Sequence, residues 1–278
     1  MNGNEALESD LSNINDSVER PGLDLKVTFP EVEGSTPSQD QEFCIVEIDG
    51  ARRKVRFHDY DEIYNIPGLY EKIFYDKLDC QSPTLMGRLL DHEVSRQGIE
   101  MEELTVLDVG AGNGIMGEVL NDAGVDAVVG VDILSEAAEA ARRDRPGVYD
   151  AYYPVDLLHL SEPVEQALEK RHFNCMTLIA ALGFGDIPPS VFATAYNLVD
   201  DGGFIAFNIK EEFLDEATSS GFSSLIRRME ENGWMDMALQ VRYVHRLNML
   251  GEPLHYTGII GRKRHDIPEE VMASQLAH

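Results

Sequence analysis

A chain of 278 residues, 43% of them hydrophobic, can bury a substantial core and fits one domain with decoration. Its 23 basic residues face 50 acidic ones, a formal net charge of −27, so the surface repels phosphate backbones and disfavours a nucleic-acid partner. Cys44, Cys80 and Cys175 form no CxxC pair, no basic start precedes an apolar run, and no apolar stretch approaches the roughly 20 residues that cross a bilayer. The expectation is a cytoplasmic protein with reduced thiols, no metal site and no membrane span.

Residues 1–40 carry nine acidic side chains against Arg20 and Lys26 and read as an acidic disordered arm. Residues 41–98 read as a hairpin followed by a helical lid. Phe43–Ile48 and Arg53–Phe57 flank Asp49-Gly50, which accepts the positive φ angles of a type I′ turn. Residues 59–80 look helical with a break at Pro67-Gly68, and Tyr60, Tyr64, Tyr70 and Tyr75 recur there. Ser82 is the expected N-cap of a helix with Pro83 at its first position, running to about Arg96.

Residues 99–264 change pattern. Short β-rich runs at 104–109, 127–132, 149–155, 173–181 and 203–209 alternate with helical stretches near 114–123, 135–144, 161–171 and 189–199. This predicts an α/β fold, a Rossmann-like three-layer sandwich on a mostly parallel sheet. A helix near 221–232 and two long runs at 236–247 and 254–262 predict a C-terminal antiparallel hairpin. Residues 265–278 read as a loose tail.

The strongest motif is Val106-Leu107-Asp108-Val109-Gly110-Ala111-Gly112-Asn113-Gly114, an apolar strand entering a turn with three alternate glycines before a helix. Glycine permits positive φ and close approach of a ligand, and the helix start offers unpaired N–H groups. Asp132 ends the second strand, where an acid can accept from both hydroxyls of a ribose. The competing role for Asp132 is to cap the next helix, which Ser135 fills better. Asp156, after the third strand, can accept from the exocyclic amine of an adenine, with Leu157 beside the ring.

These residues resemble the class I S-adenosylmethionine (SAM)-dependent methyltransferase family over roughly residues 83–262. The resemblance implies SAM as cofactor. It places Gly110, Gly112, Asn113 and Gly114 beside the methionine part, which Asp108 helps to hold. It gives Asp132 the ribose, Ile133 the adenine face, and Asp156 the adenine amine. The stretch Asn208–Phe213 resembles the Williams–Beuren-region methyltransferase-like subgroup. Two departures stand out. Asn174 occupies the start of the fourth strand, where the family usually has an acid, and that strand ends in Ala180-Ala181 with no polar side chain. Asp186-Ile187-Pro188-Pro189-Ser190 reads as a loop and first helical turn rather than the motif of amino-methylating DNA enzymes.

Gly112–Gly117 also satisfies GxGxxG, so a nicotinamide-dependent oxidoreductase is one alternative, and a catalytically silent SAM-binding interaction protein is another. The main reading is a methyltransferase acting on oxygen or nitrogen of a small molecule, with a protein side chain second. His58 and His255 are the candidate bases, and Tyr64, just before the Pro67-Gly68 break, is the candidate lid contact to the cofactor.

Overall fold

The computed structural model describes residues 25–30, 38–182, 187–214 and 221–275. Most of the expected acidic arm lies outside them, as do Gly183–Asp186.

Seven strands form the main sheet: β4 (Thr105–Val109), β5 (Ala127–Asp132), β6 (Ala151–Pro154), β7 (Phe173–Leu182), β8 (Val199–Lys210), β9 (Met235–Leu247) and β10 (Pro253–Lys263). Their spatial order is β6-β5-β4-β7-β8-β10-β9. The first five are parallel, and β10 pairs antiparallel with both β8 and β9. The order reverses between β4 and β7, so a crevice opens beyond their carboxyl ends, the usual ligand position in such sheets.

Strand alternation sorts the core into two layers. Leu107, Val129 and Ile205 face one side. There they meet α6 (Glu162–Glu169), α7 (Pro189–Asn197) and α8 (Phe222–Glu231) through Leu168, Phe192, Tyr196, Leu225 and Met229. Val106, Val128 and Phe204 face the other side and meet Met86, Leu90, Met116 and Leu120 of α3 (Ser82–Arg96) and α4 (Ile115–Asp122). Thus α3, expected with the lid, belongs to the sandwich. The helix α5 (Ser135–Asp144) follows β5.

Before the sandwich, β1 (Leu25–Thr28), β2 (Phe43–Ile48) and β3 (Ala51–Arg56) form a small antiparallel sheet. Asp49 and Gly50 have φ of 50° and 81°, the type I′ turn the sequence predicts. The strand β1 falls within the expected arm; its Val27 is buried beside Val46 and Phe57, which ties that segment down. Next come α1 (Tyr60–Tyr64) and α2 (Leu69–Glu71), the latter running into a wide π turn over Lys72–Lys77. Gly68 takes φ 74° at the predicted break.

Two caps differ from expectation. Ser82 is the first helical residue, and its hydroxyl is drawn into a buried network with Tyr243, His245 and Asn208. Ser135 also lies inside its helix, and Asp132 instead accepts the Leu134 N–H at 3.0 Å. The expected loose tail contains α9 (Glu269–Gln275), seated because Ile267 and Val271 are buried and the Asn197 amide holds both the N–H and the C=O of Ile267.

Among the described residues no helix is long and apolar enough to cross a membrane.

Candidate functional site

The β4–α4 turn folds as the glycine spacing demands. Gly110, Gly112 and Gly114 have φ of 65°, 53° and 90°. At Gly112 the backbone conformation and the space both exclude a side chain: a Cβ would lie 2.5 Å from the Tyr64 hydroxyl. The Gly112 N–H donates to Asp132 Oδ2 at 3.0 Å, and the Tyr152 hydroxyl donates to the Gly112 carbonyl at 2.8 Å. The turn is therefore tied to β5, β6 and α1 at once.

A cavity of about 520 Å³ opens beside it, at the carboxyl ends of β4, β5 and β7. That volume lies in the range of small-ligand sites. Gly110, Asp132, Ile133, Asp156, Leu157 and Tyr64 all border it, as does His58. Asp132 is pushed above the usual carboxylate range by burial, offset by backbone N–H groups. A carboxylate offers about four lone-pair sites, so Asp132 keeps capacity for a ligand beyond the backbone N–H groups of Gly112, Leu134 and Ile133. Ile133, the next residue, is 67% exposed on the cavity lip, an apolar side chain left for something to cover. Asp156 accepts the Leu158 N–H and pairs with the His159 ring, which lowers its pKa. Tyr64 lies between Tyr60 and Tyr70, with ring centroids 6.1 and 5.3 Å away.

Other expected contacts are not brought to the cavity. Asp108 is 1% exposed and accepts from Thr177 Oγ1 and the Tyr149 hydroxyl, both at 2.7 Å. Its carboxylate faces into the sheet and braces the turn from behind. Asn113 is buried against Glu71, to which its amide donates at 2.9 Å, and Gly114 faces Val148, Tyr149 and Arg145. His255 does not border this cavity. Its neighbour Tyr256 points inward, so strand alternation turns His255 to the opposite face, beside Val244, which is 39% exposed. His58 is the candidate base that the fold delivers to the site.

Burial pushes the Asp108 carboxyl up to about 6, against the two hydrogen bonds that pull it down. The folded chain thus holds this proton more tightly than the unfolded chain. Its stabilising contribution is fully present below about pH 3.8 and is lost as pH rises through about 6. Asp108→Asn is expected to gain stability relative to the parent by about 2 kcal/mol between about pH 4 and pH 7, at about 1.36 kcal/mol per pK unit. Urea denaturation of both proteins at the two pH values measures it, and an unchanging difference would place that titration elsewhere.

One residue that builds the site, Arg145, gave no sequence signal. Arg145 donates to Glu71 Oε1 and Glu118 Oε2 at 2.8 Å and to the Asn113 carbonyl at 3.2 Å, linking the glycine turn to the segment that carries Tyr70. Asn174, the departure at the start of β7, bonds the Thr105 N–H and the Glu103 carbonyl, a structural stitch between β7 and β4. At the other end of β7 the register shifts, and Ala180 takes φ 59° with its N–H held by Asn208 Oδ1 at 2.6 Å. A non-glycine residue in that region is strained and is found where a site requires it; Ala180 and Ala181 border the cavity.

A methyltransferase-domain family model matches residues 84–258, more than half of the chain. No curated protein matches it. Among solved structures it is similar to the magnesium protoporphyrin IX methyltransferase of Synechocystis PCC 6803 with bound SAM. That match has 14% identity and a TM-score of 0.46, covering 65% of this chain and 79% of that one. It is also similar to a SAM-dependent methyltransferase of Methanosarcina mazei, with 18% identity and a TM-score of 0.44 over 62% and 98%. A third is a ribosomal protein L11 methylase of Lactobacillus delbrueckii subsp. bulgaricus, with 18% identity and a TM-score of 0.43 over 66% and 79%. The matched segment begins in α3 and ends in β10, so it takes in the glycine turn and most of the closing hairpin; the chain belongs to the methyltransferase-domain family, the class I SAM-dependent methyltransferases.

Proposed function

We propose that the 520 Å³ cavity holds SAM and that the chain transfers its methyl group to a small molecule. One observation carries the cofactor assignment: the Asp132 carboxylate, the exposed Ile133 and the glycine backbone at Gly110 meet on one cavity wall. In this reading Asp132 accepts from the ribose hydroxyls. Ile133 and Leu157 cover the two sides of the adenine, and Asp156 accepts from its amine. Gly110 lets the methionine end lie against the backbone, and Tyr64 closes over it. Asp108, Gly112, Asn113 and Gly114 shape the turn without facing the ligand.

Bound SAM supplies a sulfonium methyl that needs only in-line attack. The chain's main contribution is then alignment, worth up to about 7–11 kcal/mol in ideal cases. His58, at the cavity edge, is placed to accept a proton from an oxygen or nitrogen acceptor. The net charge of −27 supports a small acceptor over a nucleic acid.

Calorimetric titration of the full chain with SAM, S-adenosylhomocysteine (SAH) and NADH tests the cofactor. Micromolar binding of the first two and none of NADH is expected; a folded sample that prefers NADH overturns the reading. Transfer from methyl-labelled SAM into a cell extract then tests the acceptor. A labelled dialysable product that separates chromatographically from SAM supports a small molecule, and product label confined to protein or RNA refutes it.

A further inference from the structure

A second, smaller chamber of about 30 Å³ adjoins the cofactor cavity, and the two share His58, Tyr60, Tyr70, Ala180 and Ala181. Its far wall comes from outside the nucleotide-site motifs: Gln39 before β2, His245 and Arg246 on β9, and Tyr256 on β10. A single water needs roughly 10–15 Å³ by this measure, so the chamber admits only a few heavy atoms.

One arrangement of protons gives every polar group of this network a partner. Asn208 Nδ2 donates to Ser82 Oγ at 3.0 Å and to the Tyr243 hydroxyl at 2.6 Å. The Tyr243 proton then has Ser82 Oγ, 2.6 Å away, as its acceptor. The Ser82 proton passes to His245 Nδ1, also at 2.6 Å. With Nδ1 accepting, the neutral ring carries its proton on Nε2. Burial and the nearby Arg246 hold the His245 pKa well below its usual value, in keeping with a neutral ring. The ring lies 4.0 Å from that of Tyr256.

Gln39 is 8% exposed; its Nε2 donates to the Tyr256 hydroxyl at 3.1 Å, and its Oε1 is buried with no partner among the described residues. A buried amide oxygen without a donor costs folding free energy. The charge on the wall is already cancelled, because Arg246 pairs with the buried Glu42 at 2.5 Å and also donates to the Leu247 carbonyl. The other Glu42 oxygen takes the Met249 N–H.

We propose that this chamber anchors the methyl acceptor and selects an uncharged group that both accepts and donates a hydrogen bond, an amide or a hydroxyl. His245 Nε2–H donates to that group, and Gln39 Oε1 accepts from it. An ammonium or a carboxylate would enter without a counter-ion, since Arg246 and Glu42 neutralise each other. The inference rests on methyl transfer in the adjoining cavity, which the chamber faces across Ala180 and Tyr70.

The test uses four probes of one shape on the full chain: benzamide, benzyl alcohol, benzoate and benzylammonium. Binding is read by saturation-transfer NMR with and without SAH, after SAH affinity has been measured on the same sample. Benzamide and benzyl alcohol are expected to bind at least tenfold more tightly than the charged pair. Gln39→Leu is expected to weaken benzamide about tenfold, the loss of one hydrogen bond, with SAH affinity unchanged. Benzamide against benzyl alcohol separates amide from hydroxyl. Equal or tighter binding of a charged probe, or of benzamide to Gln39→Leu, overturns the proposal, and the wild-type comparison decides even if the variant fails to fold. If SAH does not bind while the neutral preference persists, the cofactor assignment fails and the chamber's selectivity stands.

Discussion

Asp132→Ala is expected to weaken SAH binding by about 10²–10⁴-fold, since two hydrogen bonds to a charged group are worth about 3–6 kcal/mol together. The carboxylate sits on the cavity wall with Gly112 N–H on one oxygen and Leu134 N–H on the other, so its orientation is fixed before any ligand arrives. A preset acceptor loses little entropy on binding, which is why its removal costs nearly the full interaction. The same two backbone groups lose their partner in the variant, so its melting temperature should fall as well. Asp132→Asn separates the effects: one oxygen remains, and the new NH₂ opposes one of the two N–H groups. Its SAH affinity should lie between parent and Asp132→Ala. Calorimetry with thermal melts of all three proteins is the measurement. An Asp132→Ala protein that keeps parental affinity would show that Asp132 only braces the Gly112 turn and the entry to α5.

The periodic part of the chain was legible because one physical rule controls it. Strands β4, β5, β7 and β8 are buried on both faces over most of their length, so they read as near-continuous apolar runs, and the helices between them carry the complementary stripe. The expected hairpin at 236–247 and 254–262 appears as β9 and β10 within a residue at each end. Cavity-facing positions at strand ends were legible for the same reason: topology puts Gly110, Asp132 and Asp156 at one edge of the sheet. What sequence reasoning missed depends on tertiary distance. Gln39 and Tyr256 are 217 residues apart, and Ser82 and His245 are 163 apart, so no local pattern announces either pair. Which of the two hairpin histidines, His245 or His255, looks inward depends on the pairing of β9 with β10, whose register shifts between Leu254 and His255. Asp108 lies off the cavity wall for a related reason. Its register partner on β7 is Thr177, so its carboxylate finds donors inside the sheet before it could reach a ligand.

Arg145→Met should show the second large effect: about 3 kcal/mol of lost stability, at the lower edge of the range for breaking a buried ion pair. That corresponds to a melting temperature lower by about 6–12 °C for a domain of this size. The Arg145 side chain is 4% exposed and holds Glu71, Glu118 and the Asn113 carbonyl in one cluster. Glu118 is 44% exposed and recovers water when its partner leaves, so most of the cost falls on Glu71. One Glu71 oxygen is already buried without a partner, and the other would keep only the Asn113 amide. Replacing Glu71 by Gln in the Arg145→Met background removes the stranded charge and should restore part of the loss, a coupling that a double-mutant cycle reads directly. Additive losses would mean that Arg145 acts by packing its stem against Gly114 rather than through charge. SAH affinity supplies the functional half of the result. Glu71 directly follows Tyr70, and Tyr70 packs on Tyr64, so releasing Glu71 loosens the segment that borders the 520 Å³ cavity. Binding should therefore weaken in Arg145→Met and recover along with stability in the double variant, because both properties run through the same contact between the glycine turn and its aromatic cover.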